Sequence, residues 1–116
     1  MNKKAVMIVA NPGPLRDGLH ALMFAMPQVG LITEVSDLQA ALGTTNEQFP
    51  SLVILDAELT RGNVLDAMHL IKATWSQTRC IFLANDVRQQ QEAESAGADA
   101  ALLKGVSPAN ITATVV

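Results

Sequence analysis

Two charged residues that follow apolar runs are the strongest candidates for chemistry in this sequence. Asp56 follows the apolar run 52–55, and Lys104 follows the apolar run 100–103. If both runs are strands of one parallel sheet, their carboxyl ends open onto the same crevice. A carboxylate oxygen there can act as a nucleophile toward an anionic group, and an ammonium can neutralise that group. The pair therefore predicts that Asp56 accepts an anionic group while Lys104 contacts it.

Both residues also have structural interpretations that the sequence leaves open. An aspartate directly after a strand often hydrogen-bonds the next backbone amides as a turn former. A lysine in the same place is commonly a solvated surface charge. Taken together, Asp56 and Lys104 also fit a structural ion pair that spans the crevice and carries out no chemistry.

Five short apolar runs predict the sheet that must position these side chains. They have the length of β-strands and span residues 5–10, 29–35, 52–55, 80–84 and 100–103. The first, third and fourth runs are nearly all apolar rather than alternating, which is typical of strands covered by helices on both faces. The pattern predicts an α/β domain with three layers and a parallel sheet.

Helical spacing occurs between the apolar runs. The clearest apolar stripe consists of Val64, Met68, Ile71 and Trp75. Residues three and four apart lie on one face of a helix, so this stripe is predicted to face the core. A second helix is predicted over 15–26, where Pro14 is placed to open it and Pro27 to close it. Ser107 and Pro108 are typical of the N-cap and the first position of a last helix.

The composition is that of a globular domain with a mild acidic bias. The formal net charge is −3, hydrophobic residues make up 49% of the chain, and aromatic residues make up 3%. These values disfavour a nucleic-acid surface and a base-stacking platform. No apolar stretch approaches the ~18 residues of a membrane span, and no export signal is visible, so we predict one cytoplasmic domain over residues 1–116. Cys80 is predicted to be a buried thiol.

Few features of the sequence are typical of an enzyme or a cofactor carrier. A flavodoxin-like enzyme is disfavoured because the loop 10–14 contains two prolines and no run of hydroxyl residues, and therefore cannot cradle a phosphate group. There is no GxGxxG motif, no P-loop and no cluster of histidine and cysteine. We predict that the chain is not an enzyme and needs no organic cofactor.

The sequence resembles the receiver (CheY-like) domain of two-component response regulators in the stretches LRDGLHALM, LVILD and AGADAALLKGVSPANI. The segment 97–108 is similar to the Gly-Ala-Asp, Leu-Leu-Lys and Ser-Pro pattern of the LuxR-type (NarL/FixJ) subfamily. This resemblance implies a flavodoxin-like, doubly wound sheet of five parallel strands in the order 2-1-3-4-5. It also implies that Asp56 receives phosphate from a histidine kinase or a phosphotransfer protein, and that Lys104 contacts the phosphoryl group.

The positions that would hold a metal ion depart from the family pattern. Receivers bind Mg²⁺ with an acidic pair after the first strand, and these positions are Ala10 and Asn11 here. Because Mg²⁺ prefers carboxylate oxygens, the loss of two carboxylates predicts weak binding. Any Mg²⁺ is expected to contact Asn11, Asp56 and Glu58, with Asp86 as a further compensating carboxylate. Alternatively, Glu58 and Asp86 are solvated loop residues.

The residues that relay phosphorylation are also replaced. The hydroxyl residue at the end of the fourth strand, which contacts the phosphoryl group in the family, is Ala84 here. The aromatic residue of the fifth strand, whose rotation reports phosphorylation, is Ala101. The two-state element that is usual in the family is therefore missing, and the resemblance implies an atypical receiver.

Two functions remain open after these departures. The first is a phosphorylated receiver that regulates a partner or an output domain, and we expect a LuxR-type DNA-binding module beyond Val116 and a role in transcription regulation. The second is a phosphorylation-independent pseudo-receiver that acts in dimerisation or protein interaction. Small side chains are predicted to flatten the outer face around the fourth helix and so favour a homodimer; they are the alanines at 93, 96, 98, 100 and 101.

Overall fold

Parallel strands form the central sheet of the computed structural model, which describes residues 3–43 and 49–115. Five of them are hydrogen-bonded in the order β2-β1-β3-β4-β5, which confirms the prediction. The strands are β1 (Lys4–Val9), β2 (Val29–Val35), β3 (Leu52–Asp56), β4 (Arg79–Ala84) and β5 (Ala100–Leu103). The strand order reverses between β1 and β3, so a crevice opens at the carboxyl ends of these neighbours.

In the described part of the chain, a helix lies between each two consecutive strands, and one more helix follows the last strand. The helices are α1 (Pro14–Phe24), α2 (Leu38–Gly43), α3 (Val64–Thr74), α4 (Val87–Ser95) and α5 (Pro108–Val115), and a 3₁₀ helix spans Ala57–Thr60. Pro14 and Pro108 open α1 and α5 as predicted, because the fixed backbone angle of proline suits a first helical position. The side chains of Asn63 and Asp86 accept hydrogen bonds from Asp66 N and Gln89 N, and so cap α3 and α4.

The central strands β1, β3 and β4 are buried on both faces, as their nearly continuous apolar runs predict. Successive residues of β3 alternate between the two faces, and all five are buried. Val53 and Leu55 pack with Met68 and Ile71 of α3, whereas Leu52 and Ile54 belong to the core on the α1 and α5 side. Each fully buried aliphatic side chain contributes about 1.5–3 kcal/mol, so the three-layer arrangement follows from these runs.

The prediction that alanines flatten the outer face around α4 is wrong. Ala93 is 0% exposed and Ala101 is 5% exposed, and both lie in the core between the sheet and α3. Ala96 and Ala98 pack against the same core, and Ala100 packs against the core on the other face. Their short side chains let α4 approach the sheet closely, so they do not form a docking surface.

Cys80 is fully buried at the start of β4, as predicted. Burial raises the pKa of its thiol to about 12, because the thiolate would lose its hydration. This environment is typical of an inert core thiol.

Among the residues that the structure describes, none of the helices combines the length and the apolar character needed to cross a membrane.

Candidate functional site

Asp56 and Lys104 contact each other at the carboxyl edge of the sheet. Lys104 Nζ lies 2.5 Å from Asp56 Oδ1, although the two residues are 48 positions apart in the chain. Only 8% of the Asp56 side chain is exposed, compared with 25% for Lys104. The aspartate is therefore nearly enclosed, and the ammonium covers it from the solvent side.

The local backbone explains why these two side chains meet. Asp56 is both the last residue of β3 and the N-cap of the following 3₁₀ helix, and its Oδ1 accepts a hydrogen bond from Glu58 N at 3.1 Å. The turn-former interpretation of Asp56 is therefore correct, and the contact with Lys104 across the crevice is present as well. Lys104 follows β5, and its backbone N–H donates to Ala84 O at 2.9 Å. Gly105 has a φ of 89°, which lets the chain turn away directly after the lysine.

Glu58 adds a second carboxylate to the ammonium. Its Oε1 lies 3.6 Å from Lys104 Nζ and accepts a hydrogen bond from Asn85 Nδ2 at 3.2 Å. The loops after β3, β4 and β5 are therefore linked by side chains at one point. Glu58 is 59% exposed, so this link lies on the solvent side of Asp56.

The residues at the end of β1 line the approach to this site. Ala10 is 1% exposed and carries no donor atom, whereas Asn11 is exposed. An open groove of about 530 Å³ runs beside the site, and its lining includes Asn11, Glu58 and Arg61. Asn11 and Glu58 thus line a common groove.

The donor set does not fit a Mg²⁺ site of the family type. Two of the predicted ligands are carboxylates, and both already have partners. Asp56 is paired with Lys104, and Glu58 contacts both Lys104 and Asn85. Asp86 is engaged in capping α4. Within residues 3–43 and 49–115, no three His, Cys, Asp or Glu side chains converge to hold a metal ion. The carboxylates at this edge are thus already engaged by other donors, whereas Mg²⁺ prefers carboxylate oxygens that are free to coordinate it.

The two positions that usually relay phosphorylation are filled with buried methyl groups. Ala84 is 0% exposed at the end of β4, and Ala101 is 5% exposed in β5. Neither side chain can form a hydrogen bond or rotate into a second position. The loop after Asp56 is instead held by Thr60, whose buried hydroxyl donates to Ala57 O at 2.7 Å.

A second lysine–aspartate pair lies at the opposite edge of the sheet. Lys72 Nζ is 2.9 Å from Asp99 Oδ2, which also accepts a hydrogen bond from Cys80 N at 2.7 Å. Burial acts to raise the pKa of the Asp99 carboxyl. The hydrogen bond from Cys80 and the Lys72 ammonium outweigh burial and lower that pKa below its ordinary value of 3.8. This pair joins α3 to the beginnings of β4 and β5.

Asn85 contacts Glu58 at the site, although the sequence pattern did not predict it as a site residue. It follows β4 directly, so the same strand-end rule that identified Asp56 and Lys104 also applies to it. Its backbone N–H donates to Gln89 Oε1 at 2.9 Å, which fixes the loop that presents its side chain to Glu58.

Comparison with known proteins identifies the family. The family model for the response regulator receiver domain matches residues 6–116. A search of curated proteins found no significant match.

Solved structures share the fold at low sequence identity. A two-component response regulator of the LuxR family from Aurantimonas sp. SI85-9A1 has 21% identity and a TM-score of 0.83, with 98% of this chain and 83% of that chain covered. The receiver domain of the response regulator NarL from Mycobacterium tuberculosis has 20% identity and a TM-score of 0.83, with coverages of 99% and 94%. RcsB from Salmonella typhimurium has 17% identity and a TM-score of 0.84, but this chain spans only 57% of its length.

Proposed function

We propose, because this chain belongs to the response regulator receiver domain family, that it accepts a phosphoryl group on Asp56 and thereby regulates a partner or an output domain. The observation that supports this proposal is the contact between Asp56 and Lys104 across the carboxyl edge of the sheet. It joins a shielded carboxylate to an ammonium, which is an arrangement suited to receive an anionic group.

The chemistry follows from the two side chains. Both described contacts of the Asp56 carboxylate are made by Oδ1, so Oδ2 is the oxygen that attacks the phosphorus atom. The O–P bond forms while the P–N bond of a donor phosphohistidine breaks. The electron pair of that bond stays on the imidazole nitrogen, which takes up a proton from water. Lys104 then neutralises part of the charge of the acyl phosphate.

The donor in this proposal is a histidine kinase or a phosphotransfer protein. The LuxR-family regulators among the structural neighbours motivate a second element of the proposal, a LuxR-type DNA-binding output domain in the same polypeptide. A homodimer is a further element, although the alanines around α4 do not supply its interface. We also expect Mg²⁺ to bind weakly, because Asn11 replaces a carboxylate and Lys104 already neutralises Asp56.

A second candidate function is supported by the buried methyl groups of Ala84 and Ala101. Without a hydroxyl or an aromatic ring to move, phosphorylation would have no relay of the usual kind. In this alternative the chain is a pseudo-receiver, in which Asp56 and Lys104 form a structural pair and the domain binds itself or a partner without phosphate.

Phosphorylation by a small donor tests the proposal. The protein would be incubated with acetyl phosphate, with and without Mg²⁺, and its intact mass would be measured. We expect the mass of one phosphoryl group to be added to the wild type and not to Asp56→Asn. Asp17→Asn, which changes an exposed aspartate of α1, is the matched control and should behave as the wild type. An unmodified wild type, or modification that persists in Asp56→Asn, would favour the pseudo-receiver.

A further inference from the structure

Glu58 contacts the groups that a phosphoryl group on Asp56 would need. Its Oε1 lies 3.6 Å from Lys104 Nζ and accepts a hydrogen bond from Asn85 Nδ2 at 3.2 Å. These two donors come from the loops after β5 and β4, and the Lys104 ammonium also contacts the Asp56 carboxylate. The position of the Glu58 carboxylate is therefore already that of a bound anion.

The charges at this site prevent the Glu58 carboxylate and a phosphoryl group from binding Lys104 at the same time. One ammonium, that of Lys104, serves two carboxylates, and it is closer to Asp56 than to Glu58. A phosphoryl group on Asp56 would replace the single negative charge of the carboxylate with about two on the acyl phosphate, a net gain of about one negative charge beside Glu58. The resulting repulsion favours either the phosphoryl group or the Glu58 carboxylate at Lys104, but not both.

The exposure of Glu58 determines how firmly it holds this position. Its side chain is 59% exposed, so it can swing into solvent without opening the core. The backbone N–H of Glu58 would still donate to Asp56 Oδ1, because that bond belongs to the turn and does not involve the side chain. The Glu58 carboxylate is thus displaceable, whereas Asp56 and Lys104 are held by the sheet.

We propose that the Glu58 carboxylate is an internal competitor of the phosphoryl group, which occupies Lys104 and Asn85 in the unphosphorylated protein and lowers the affinity of the site for anions. This inference rests on the proposed function, because it assumes that Asp56 is the acceptor. It assigns to Glu58 a regulatory role that differs from the metal-ligand role expected from the sequence.

Binding of beryllofluoride, a phosphoryl mimic, tests this inference. Beryllofluoride would be titrated into the wild type, Glu58→Gln and Glu58→Ala at several Mg²⁺ concentrations, and the apparent dissociation constants would be obtained from amide NMR spectra. We expect both variants to bind on the order of tenfold more tightly than the wild type, because one repelling charge is gone. Glu94→Gln is the matched control; it removes the same charge from an exposed position of α4 near the opposite edge of the sheet.

The outcomes separate this inference from the proposed function. If the wild type binds and the Glu58 variants bind equally or more weakly, the competitor role is overturned while phosphate acceptance stands. A variant that binds more weakly and needs a higher Mg²⁺ concentration to bind would identify Glu58 as a metal ligand. If only the Glu58 variants bind, the competitor role is supported and the wild type acts without phosphate. If none of the proteins binds, both proposals are overturned.

Discussion

Two lysine–aspartate pairs flank β5, and they differ in what else the aspartate binds. Asp99 lies just before β5 and gives one oxygen to both Lys72 and the backbone N–H of Cys80, which is a residue of the core. Lys104 lies just after β5 and binds Asp56, whose second described contact is the N–H of the exposed residue Glu58. The Asp99 carboxylate therefore accepts a hydrogen bond from a backbone N–H of a core strand, whereas the Asp56 carboxylate accepts one from a backbone N–H of a loop.

The difference separates a structural ion pair from a candidate functional one. The Asp99 pair ties the amino ends of β4 and β5 to α3, so its loss leaves an unpaired donor next to buried residues. The Asp56 pair stands at the carboxyl edge, where loops converge and where the neighbouring Glu58 offers Lys104 a second carboxylate. Residue types and distances are alike in the two pairs, so only their surroundings separate them.

The largest expected effect distinguishes the two lysines. If Asp56 accepts phosphate, Lys104→Gln should slow the incorporation of phosphate from acetyl phosphate by roughly 100-fold, because one charged donor to the developing anion is lost. Lys72→Gln removes the same charge from the other pair and should leave the rate unchanged. Intact-mass time courses of both variants would measure these rates. Equal slowing in both variants would show that the lysines act only through stability.

The aspartates should show the reverse order in stability. Asp99→Ala should lower the free energy of unfolding by about 2 kcal/mol, because Cys80 N–H loses its acceptor and Lys72 its partner. Asp56→Ala should cost less than about 1 kcal/mol, since Lys104 can turn to Glu58 and the freed N–H belongs to Glu58, a residue that is exposed to solvent. Urea unfolding followed by circular dichroism would measure both values. A larger loss for Asp56→Ala would make the Asp56 pair the structural one.

Much of the fold could be predicted from local pattern. The fully apolar runs place β1, β3 and β4 in the centre of the sheet, because such strands require cover on both faces. The proximity of Asp56 and Lys104 could be predicted because the carboxyl ends of parallel strands lie at the same edge of the sheet. The helix starts at Pro14 and Pro108 follow from the fixed backbone angle of proline.

The details of the site depend on side-chain directions that a pattern does not specify. The link between Glu58 and Asn85 joins two loops, and it depends on the rotamers of long polar side chains. The error over Ala93 and Ala101 has a related cause: small residues fit either a close internal contact or an external one, and spacing alone does not tell which face is buried. The role of Asp99 was missed because its partner Cys80 N–H is a backbone group.

The smallest expected effect is a pH dependence confined to the Asp99 pair. Because the pKa of Asp99 is lowered in the folded protein, its ionised form stabilises the fold at pH values above 3.8, and this contribution is lost as the pH falls through the folded-state pKa. The stability gap between the wild type and Asp99→Ala should therefore be constant near neutral pH and narrow below about pH 4. Urea midpoints measured from pH 7 to pH 3 would show this narrowing of the stability gap.

Ile81→Val, which removes one methyl group from the core at a cost of about 1 kcal/mol, is the control; its stability gap to the wild type should not change with pH. A constant gap for Asp99→Ala would mean that the hydrogen bond to Cys80 is equally strong with a neutral carboxyl, and that the charge of Asp99 contributes little to the difference between the two pairs.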